Sequence, residues 1–462
     1  MKILLVEPRI SSKMVGYTRM IRPEPLALEF IAASVPEHDV RILDLRVDEK
    51  PLEKELADFQ PDVMGVTGYT TDVPSMRELM RQAKALDPDI ITVAGGYHAS
   101  LLPEDFDLPY VDVLAIGEGE NTFRDLVSAL DSRQDLAKVP GLRYRKDGVQ
   151  VATPRRKLSH NLDELPLAAR SLTDRYRSRY HFHFWENPYL VETTRGCPYR
   201  CNFCSVWVFH NMRSRHRSAE CVVNELKSLS GKTRMICFVD DELFQNPKRA
   251  ERIADLLKAE GDLGFQYWAQ VRADDVAKWP HIAEKWRDVG LNSVLVGLEK
   301  INDEGLASVN KKTSTQINEK AIHILQDNLG IDIWGAFIVD PSWTKFDFDN
   351  LIDYVRSRKI AFPSFTVLTP LPGTQLFAEK VNELITRNYE IFDLLHTVLP
   401  TKLPLDEFYA NMARLYESTT LGWRDLLNRV KEGRIPRSSL ERVRELLKDV
   451  TNPEAYLRSA HT

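Results

Sequence analysis

Arg195-Gly196-Cys197-Pro198-Tyr199-Arg200-Cys201-Asn202-Phe203-Cys204 is the stretch on which the reading of this chain turns. Its C-x3-C-x2-C spacing presents three thiols from one short loop. Thiolates are the ligands of iron–sulfur clusters, and a four-iron cubane held by three cysteines leaves one iron open to a substrate or cofactor. Soft sulfur also suits zinc, with His210 or His216 completing the set, so the count alone leaves both metals in view. Zinc modules usually carry two separated ligand pairs, and no second pair follows here. A disulfide framework fits less well, because five cysteines in 462 residues, all between 197 and 237, point to a reducing compartment. Cys221, in a helical pattern, and Cys237, in an apolar strand, read as packing residues.

The bulk composition excludes several classes. A hydrophobic fraction of 43% with 28% charged residues is that of an ordinary globular protein. The 62 basic and 67 acidic residues leave a net charge of −5, which gives no reason to expect nucleic acid as a partner. The apolar start, Met1–Glu7, is too short for a signal peptide, and no stretch approaches the roughly 20 apolar residues of a membrane span. The expectation is a cytoplasmic protein of two or three domains with at most peripheral membrane contact.

Strand and helix patterns alternate through the first 135 residues. Ile3–Val6, Val40–Leu45, Val63–Thr67, Ile90–Ala94 and Val111–Ile116 are short β-branched runs with amphipathic stretches between them. They predict a doubly wound parallel sheet. In such sheets ligands sit at the carboxyl ends of the strands. Those ends read Thr67-Gly68-Tyr69-Thr70-Thr71, Gly95-Gly96-Tyr97-His98-Ala99-Ser100 and Gly117-Glu118-Gly119-Glu120. Glycines there either let backbone approach a ligand or simply make tight turns. Residues 136–185 read as a connector with a hairpin at Lys146-Asp147-Gly148. From 186 to 375 six further strand–helix units follow, with strands at Tyr189–Thr193, Met235–Val239, Phe265–Val271, Ser293–Gly297, Ile333–Val339 and Ser364–Thr369. Six units are fewer than the eight of a closed barrel. Residues 376–462 read as mostly helical.

Polar residues collect where the later strands end. Asp240, Asp241 and Glu242 follow the second strand, where carboxylates could accept from a ligand ammonium or cap a helix. Gln270 and Arg272 end the third; the arginine fork suits a carboxylate or a surface ion pair. Glu299 ends the fourth, and Pro370-Leu371-Pro372-Gly373-Thr374 follows the sixth.

The cysteine run, with the aromatic Phe203 just before its last cysteine, resembles the cluster motif of radical S-adenosylmethionine (SAM) enzymes. The resemblance implies a partial (β/α)6 barrel holding a [4Fe-4S] cluster on Cys197, Cys201 and Cys204. It places Phe203 near the adenine of SAM, Asp240 and Asp241 by its amino group, Gln270 and Arg272 at its carboxylate side, and Glu299 by its ribose. The three glycine-bearing loops resemble the cobalamin-binding domain of B12-dependent members. This implies corrin contacts from Tyr69, Thr70, Gly95, Gly96, His98, Gly117, Glu118, Gly119 and Glu120. The Asp-x-His-x-x-Gly signature of proteins that ligate cobalt through histidine is absent, so His98 is not expected to be an axial ligand. The family chemistry implied is one-electron cleavage of SAM, hydrogen abstraction from an unactivated carbon and methyl transfer by way of cobalamin, fed by an external one-electron reductant. Cyclisation, oxidation or rearrangement without methyl transfer is the alternative, and a non-catalytic cobalamin or redox sensor a distant one. Arg213–Arg217, Glu24–Glu29 and His396–Pro400 resemble strings of hopanoid C-3 methylases, which implies a small-molecule or lipid-like substrate.

Overall fold

Apolar runs of a few residues, each followed by an amphipathic stretch, can bury both faces only as parallel strands covered by helices. The computed structural model, which describes residues 1–16 and 20–460 with the side chains of 459 and 460 excepted, contains that pattern twice. One unit comprises Met1–Ser12, Glu24–Arg179 and Asn388–Glu390, and the other Lys13–Pro23, Tyr180–Arg387 and Ile391–Thr462.

In the first unit, β1 (Lys2–Glu7), β2 (Asp39–Asp44), β3 (Val63–Thr67), β4 (Ile91–Gly95) and β5 (Val113–Ala115) lie parallel in the order β2-β1-β3-β4-β5. Alternate residues serve two cores: Leu4 and Val6 face the helices Leu52–Phe59 and Val73–Leu86, while Ile3 and Leu5 face Leu26–Ala33 and Gly119–Asp131. The order reverses beside β1, which places the binding crevice at the carboxyl ends of β1, β3, β4 and β5. The hairpin read in the connector forms as β6 (Leu142–Lys146) and β7 (Val149–Ala152). It continues the sheet antiparallel to β5, so this compact unit runs on to Arg179, past the boundary suggested at 135.

Glu24 and Glu29 tie this unit together. Both are almost fully buried and face Arg170 and Arg177, while the Thr173 hydroxyl donates to Glu29. Burial, reinforced by the Glu24 charge, pushes the Glu29 carboxyl up to about 8 from 4.5. The folded state therefore holds a proton that the unfolded chain gives up. That contribution to stability is complete below about pH 4.5 and is lost as pH rises through about 8. Glu29→Gln is expected to flatten the pH dependence of the urea midpoint across that window, with its largest relative gain at the alkaline end.

The second unit carries β8 (Tyr189–Val191), β9 (Met235–Phe238), β10 (Gln266–Val271), β11 (Leu291–Glu299), β12 (Asp332–Val339) and β13 (Phe362–Val367), all parallel and in chain order. Helices Ala219–Leu229, Pro247–Glu260, Thr315–Ile322 and Lys345–Ser357 cover the outer face. Two helices, Ala273–Lys278 and Pro280–Asp288, follow β10, because Pro280 lacks the N–H needed to continue the first and suits the start of the second.

The region after 376 completes this core. Helix Leu405–Thr419 buries Phe408, Tyr409, Met412 and Leu415 against it. The Tyr416 hydroxyl donates to the Phe365 carbonyl at 2.9 Å and accepts from its N–H at 3.3 Å, closing the free edge of β13. Tyr416→Phe would leave both groups buried without that partner and should cost about 1–3 kcal/mol in urea unfolding. His396, fully buried, bonds Asp393 at 2.9 Å and the Tyr456 carbonyl at 3.2 Å, fastening the last helix. Among the described residues, no helix is long and apolar enough to cross a membrane.

Candidate active site

The cysteine loop leaves the end of β8 and is closed at its base. Thr194–Arg195 pairs antiparallel with Arg215–His216, so residues 196–214 form a loop with a fixed neck. Gly196 sits in that neck at φ +85°, where an added Cβ would lie 2.2 Å from the Arg213 carbonyl oxygen. Its carbonyl accepts from Gln245 at 3.2 Å, and its N–H donates to Asp241. Two neighbouring loops clasp the cysteines. Asn202 donates to the carbonyls of Val309 (3.3 Å) and Ser308 (2.9 Å), Asn310 donates to that of Arg200 (2.5 Å), and the Asn202 carbonyl accepts from Leu376 N–H (3.0 Å). Cys201 is buried and Cys197 and Cys204 are half-buried, none of them in a disulfide. Burial pushes the Cys197 and Cys204 thiols up to about 12, so a cationic centre is what would draw off their protons.

The donor set fits an iron–sulfur cluster better than zinc. Among the described residues, no three His, Cys, Asp or Glu side chains gather round a single point as a mononuclear ion requires. A cubane spreads its ligand sulfurs further apart. The histidines considered for a zinc site are engaged: His210 Nδ1 meets Arg215 at 3.3 Å, and His216 Nε2 meets Ser214 at 3.4 Å. Trp207, Val208 and Phe209, which composition alone would assign to a core, are half-exposed in a short helix after Cys204.

The residues expected around SAM separate into two groups. Asp240 is buried and accepts from the N–H groups of Thr193 (2.6 Å) and Thr194 (2.9 Å) and from the Thr193 hydroxyl, so it clamps the end of β8. Asp241 is half-buried beside the cysteines, its carboxyl pushed up to about 7 by burial and by the Asp240 charge. Arg272 forms a two-point pair with Asp274 (2.8 and 3.2 Å) and lies 3.5 Å under the Tyr199 ring, where it supports the cysteine loop from below. Phe203 and Gln270 are half-buried, one in the loop and the other near the end of β10. Glu299 ends β11 after a register shift, at φ +61°, and pairs with Lys311 at 2.8 Å, both buried. A Cβ on Gly297 would meet the Glu299 carboxylate at 2.4 Å and the Lys311 ammonium at 2.6 Å.

Lys311 escaped the sequence reading, whereas Glu242 was read there only as one of three acids after the second strand. Lys311 lies outside every strand end, and only its place after the Ser308–Asn310 clasp brings it to the site. Glu242 is fully buried and lies near enough to the Cys197 thiol to raise it. It accepts from Phe244 N–H at 2.9 Å through Oε1, while Oε2 has no partner. An orphaned buried carboxylate oxygen beside the cysteine loop is a place for a hydrogen-bond donor from a bound group.

Below the mouth the barrel interior changes character. Gly297, Ala336 and Ser364 are register partners on β11, β12 and β13, and all three are partly exposed. Two residues earlier on each strand come Leu295, Trp334 and Phe362. The turn between the short strands His181–Phe182 and Trp185–Glu186 plugs this level: His183 stacks on Trp334 at 3.8 Å and Phe182 meets Trp268 at 4.7 Å. Burial lowers His183 to about 3, so the floor is uncharged.

In the first unit the three expected loops stand together on the carboxyl edge of the sheet. Tyr69 is exposed and its ring lies 5.8 Å from that of Tyr97. Gly95 ends β4, and Gly96 follows at φ +92°, packed too closely against Thr67 and Gly68 to carry a side chain. Gly117, at φ +85°, has open space where a Cβ would stand, and its N–H donates to Ser100 at 2.9 Å. Glu118 precedes the following helix, which Gly119 and Glu120 begin, with Glu120 buried. His98 is fully buried; Nε2 bonds Asp105 at 2.8 Å and Nδ1 bonds Thr70 at 3.1 Å, which leaves neither nitrogen for cobalt. An open, left-handed glycine rim beside an exposed aromatic fits a flat macrocycle held without a protein histidine ligand.

A three-thiol loop at the mouth of a six-stranded parallel barrel, on a chain that also carries a doubly wound sheet with a glycine-rich edge, is the layout of a two-cofactor radical enzyme. Residues 15–127 match the B12 binding domain model and residues 191–355 the Radical SAM superfamily model. Hopanoid C-3 methylase of Methylococcus capsulatus is 32% identical, across 99% of this chain and 89% of its own. An uncharacterized methyltransferase of Pyrococcus horikoshii is 30% identical, across 87% and 88%. The solved structure of the radical SAM methyltransferase TsrM from Kitasatospora setae, with cobalamin and a [4Fe-4S] cluster bound, superposes with a TM-score of 0.67 at 19% identity, covering 82% of this chain and 78% of that one. The cobalamin-dependent radical enzyme OxsB, with aqua-cobalamin and SAM bound, gives 0.69 at 16%, covering 99% and 78%. The chain belongs to the cobalamin-dependent radical SAM methyltransferases.

Proposed function

We propose that this enzyme methylates an unactivated carbon of a rigid, largely apolar, ring-built molecule of the lipid class, of which a hopanoid is the example offered by the Methylococcus relative. The observation that carries the reading is the row of small, partly exposed residues Ala336 and Ser364 above an aromatic, uncharged floor, beside Gly297, whose open side the Glu299–Lys311 pair covers. Apolar pockets with few polar groups select apolar ligands.

Cys197, Cys201 and Cys204 would hold the cluster, and Glu299, Lys311 and Asp241 would orient SAM, with Phe203 and Gln270 beside it and Arg272 holding the loop through Tyr199. Asp240 would serve the same end by fixing β8. Tyr69, Thr70, Gly95, Gly96, Gly117, Glu118, Gly119 and Glu120 would line the corrin, with His98 bracing Thr70 from behind. Loaded, these groups supply hydrogen abstraction and a transferable methyl group, and they require an external one-electron donor. The protein's own part is to seat the cluster, exclude water and present one substrate carbon.

The test is anaerobic turnover of the reconstituted full chain with methyl-deuterated SAM, a reductant and a hopanoid. Expected products are 5′-deoxyadenosine, S-adenosylhomocysteine and a hopanoid bearing the labelled methyl. Formation of 5′-deoxyadenosine without S-adenosylhomocysteine would exclude methyl transfer, and an unlabelled hopanoid would exclude this substrate class. Ala336→Phe, which fills the row, is expected to abolish labelling while SAM still binds, as read by equilibrium dialysis.

A further inference from the structure

We propose that helix Trp423–Lys431 docks this enzyme on an anionic lipid surface. Its inner side is committed to the second unit. Leu426 is buried, and Arg429 pairs with Asp332 at 2.5 Å and lies 5.0 Å from the Phe362 ring. Asp332 opens β12 and Phe362 opens β13, so the helix sits at the amino ends of the barrel strands, opposite the cysteine loop.

The outer side is different. Trp423 and Leu427, one turn apart, are each 47% exposed, and Lys431 continues the same row one turn later. Arg424 lies beside them, exposed like Lys431. Asp425 and Glu432 fall on the far flank at 100° per residue, which leaves the outward row apolar and cationic only. Arg437 adds an exposed cation just beyond the helix, and residues 423–458 hold nine basic against six acidic residues in a chain whose net charge is −5.

Tryptophan and leucine flanked by lysine and arginine on one helix face match the acyl boundary and the anionic headgroups of a bilayer. A protein groove would be expected to offer the acids complementary charge as well, and the acids are turned away. Docking through this row engages the ends of the strands away from the cysteine loop.

Full-length protein is sedimented with vesicles of phosphatidylcholine alone or mixed with phosphatidylglycerol, across a salt series. The expected result is binding to the anionic vesicles only, weakening as salt rises. Arg424→Gln and Lys431→Gln should each weaken it by about fivefold, and the pair Trp423→Ser with Leu427→Ser should remove it. All four positions face solvent, and circular dichroism confirms the fold of each variant. Absence of vesicle binding by the unaltered protein, equal binding to both vesicle types, or equal binding by the variants would overturn the proposal. So would light scattering that shows a dimer converted to monomer by Trp423→Ser with Leu427→Ser, which would make the row a contact between copies of this chain.

Discussion

Gly196→Ala should yield a folded protein that takes up almost no iron on anaerobic reconstitution. The residue lies at φ +85° in the neck of the cysteine loop, a conformation costing an L residue about 1–2 kcal/mol. Conformation is the smaller part of the effect. The new methyl would stand 2.2 Å from the Arg213 carbonyl oxygen and 3.0 Å from His210 Cβ, and neither can withdraw. Arg213 is held by the Thr194–Arg195 pairing with Arg215–His216, and the Gly196 peptide is held by Gln245 and Asp241. The cheapest relief is to open the neck, which carries Cys197 away from Cys201 and Cys204. The barrel core does not depend on the neck, so far-UV circular dichroism should stay normal while visible absorbance and iron content collapse. Gly148→Ala is the control: φ is +79° there too, but nothing lies within 4 Å of the added methyl. It should cost about 1 kcal/mol and leave cluster content unchanged. Normal iron uptake by Gly196→Ala would show that the neck is not what gathers the cysteines.

The strands were legible in the sequence because burial on two faces forces short β-branched runs, and most strand ends fall within two residues of the expected ones. The cysteine loop was legible because its spacing is local. What escaped depends on contacts between distant segments. Asp240 and Arg272 stand at strand ends as expected, yet their atoms are taken by Thr193 and Asp274. His98 looks like a ligand in its loop, but Asp105 and Thr70 claim both of its nitrogens. His183 belongs to a segment that reads as connector, and only the barrel around it makes it a floor. Of the strings that resemble hopanoid methylases, Glu24–Glu29 and His396 are buried ties, and so are Arg215 and Arg217, the latter paired with Glu225. Their likeness is therefore evidence of shared architecture before it is evidence of shared substrate.

Lys311→Met should destabilise the second unit by about 3–5 kcal/mol, the cost of leaving a buried charge without its partner. Glu299 cannot escape to solvent. It is 8% exposed, its backbone is held at φ +61° by the register shift between β11 and β12, and Gly297 packs against its carboxylate. The methionine keeps an unbranched apolar stem as far as the lysine Cε and removes the ammonium, so the loss reads charge pairing more than packing. Glu299→Gln in the same chain removes the stranded charge and should recover most of the lost stability, giving a coupling in the double-mutant cycle of about 1–3 kcal/mol. Urea unfolding followed by tryptophan fluorescence measures all four proteins. The Val309 carbonyl and the Asn310 side chain also clasp Asn202 and Arg200, so Lys311→Met should loosen the cysteine loop and speed loss of iron to a chelator. The double variant should slow that loss again. If Lys311→Met unfolds with the unaltered protein, Glu299 has water or another cation within reach, and the pair is not what holds it at the mouth of the barrel.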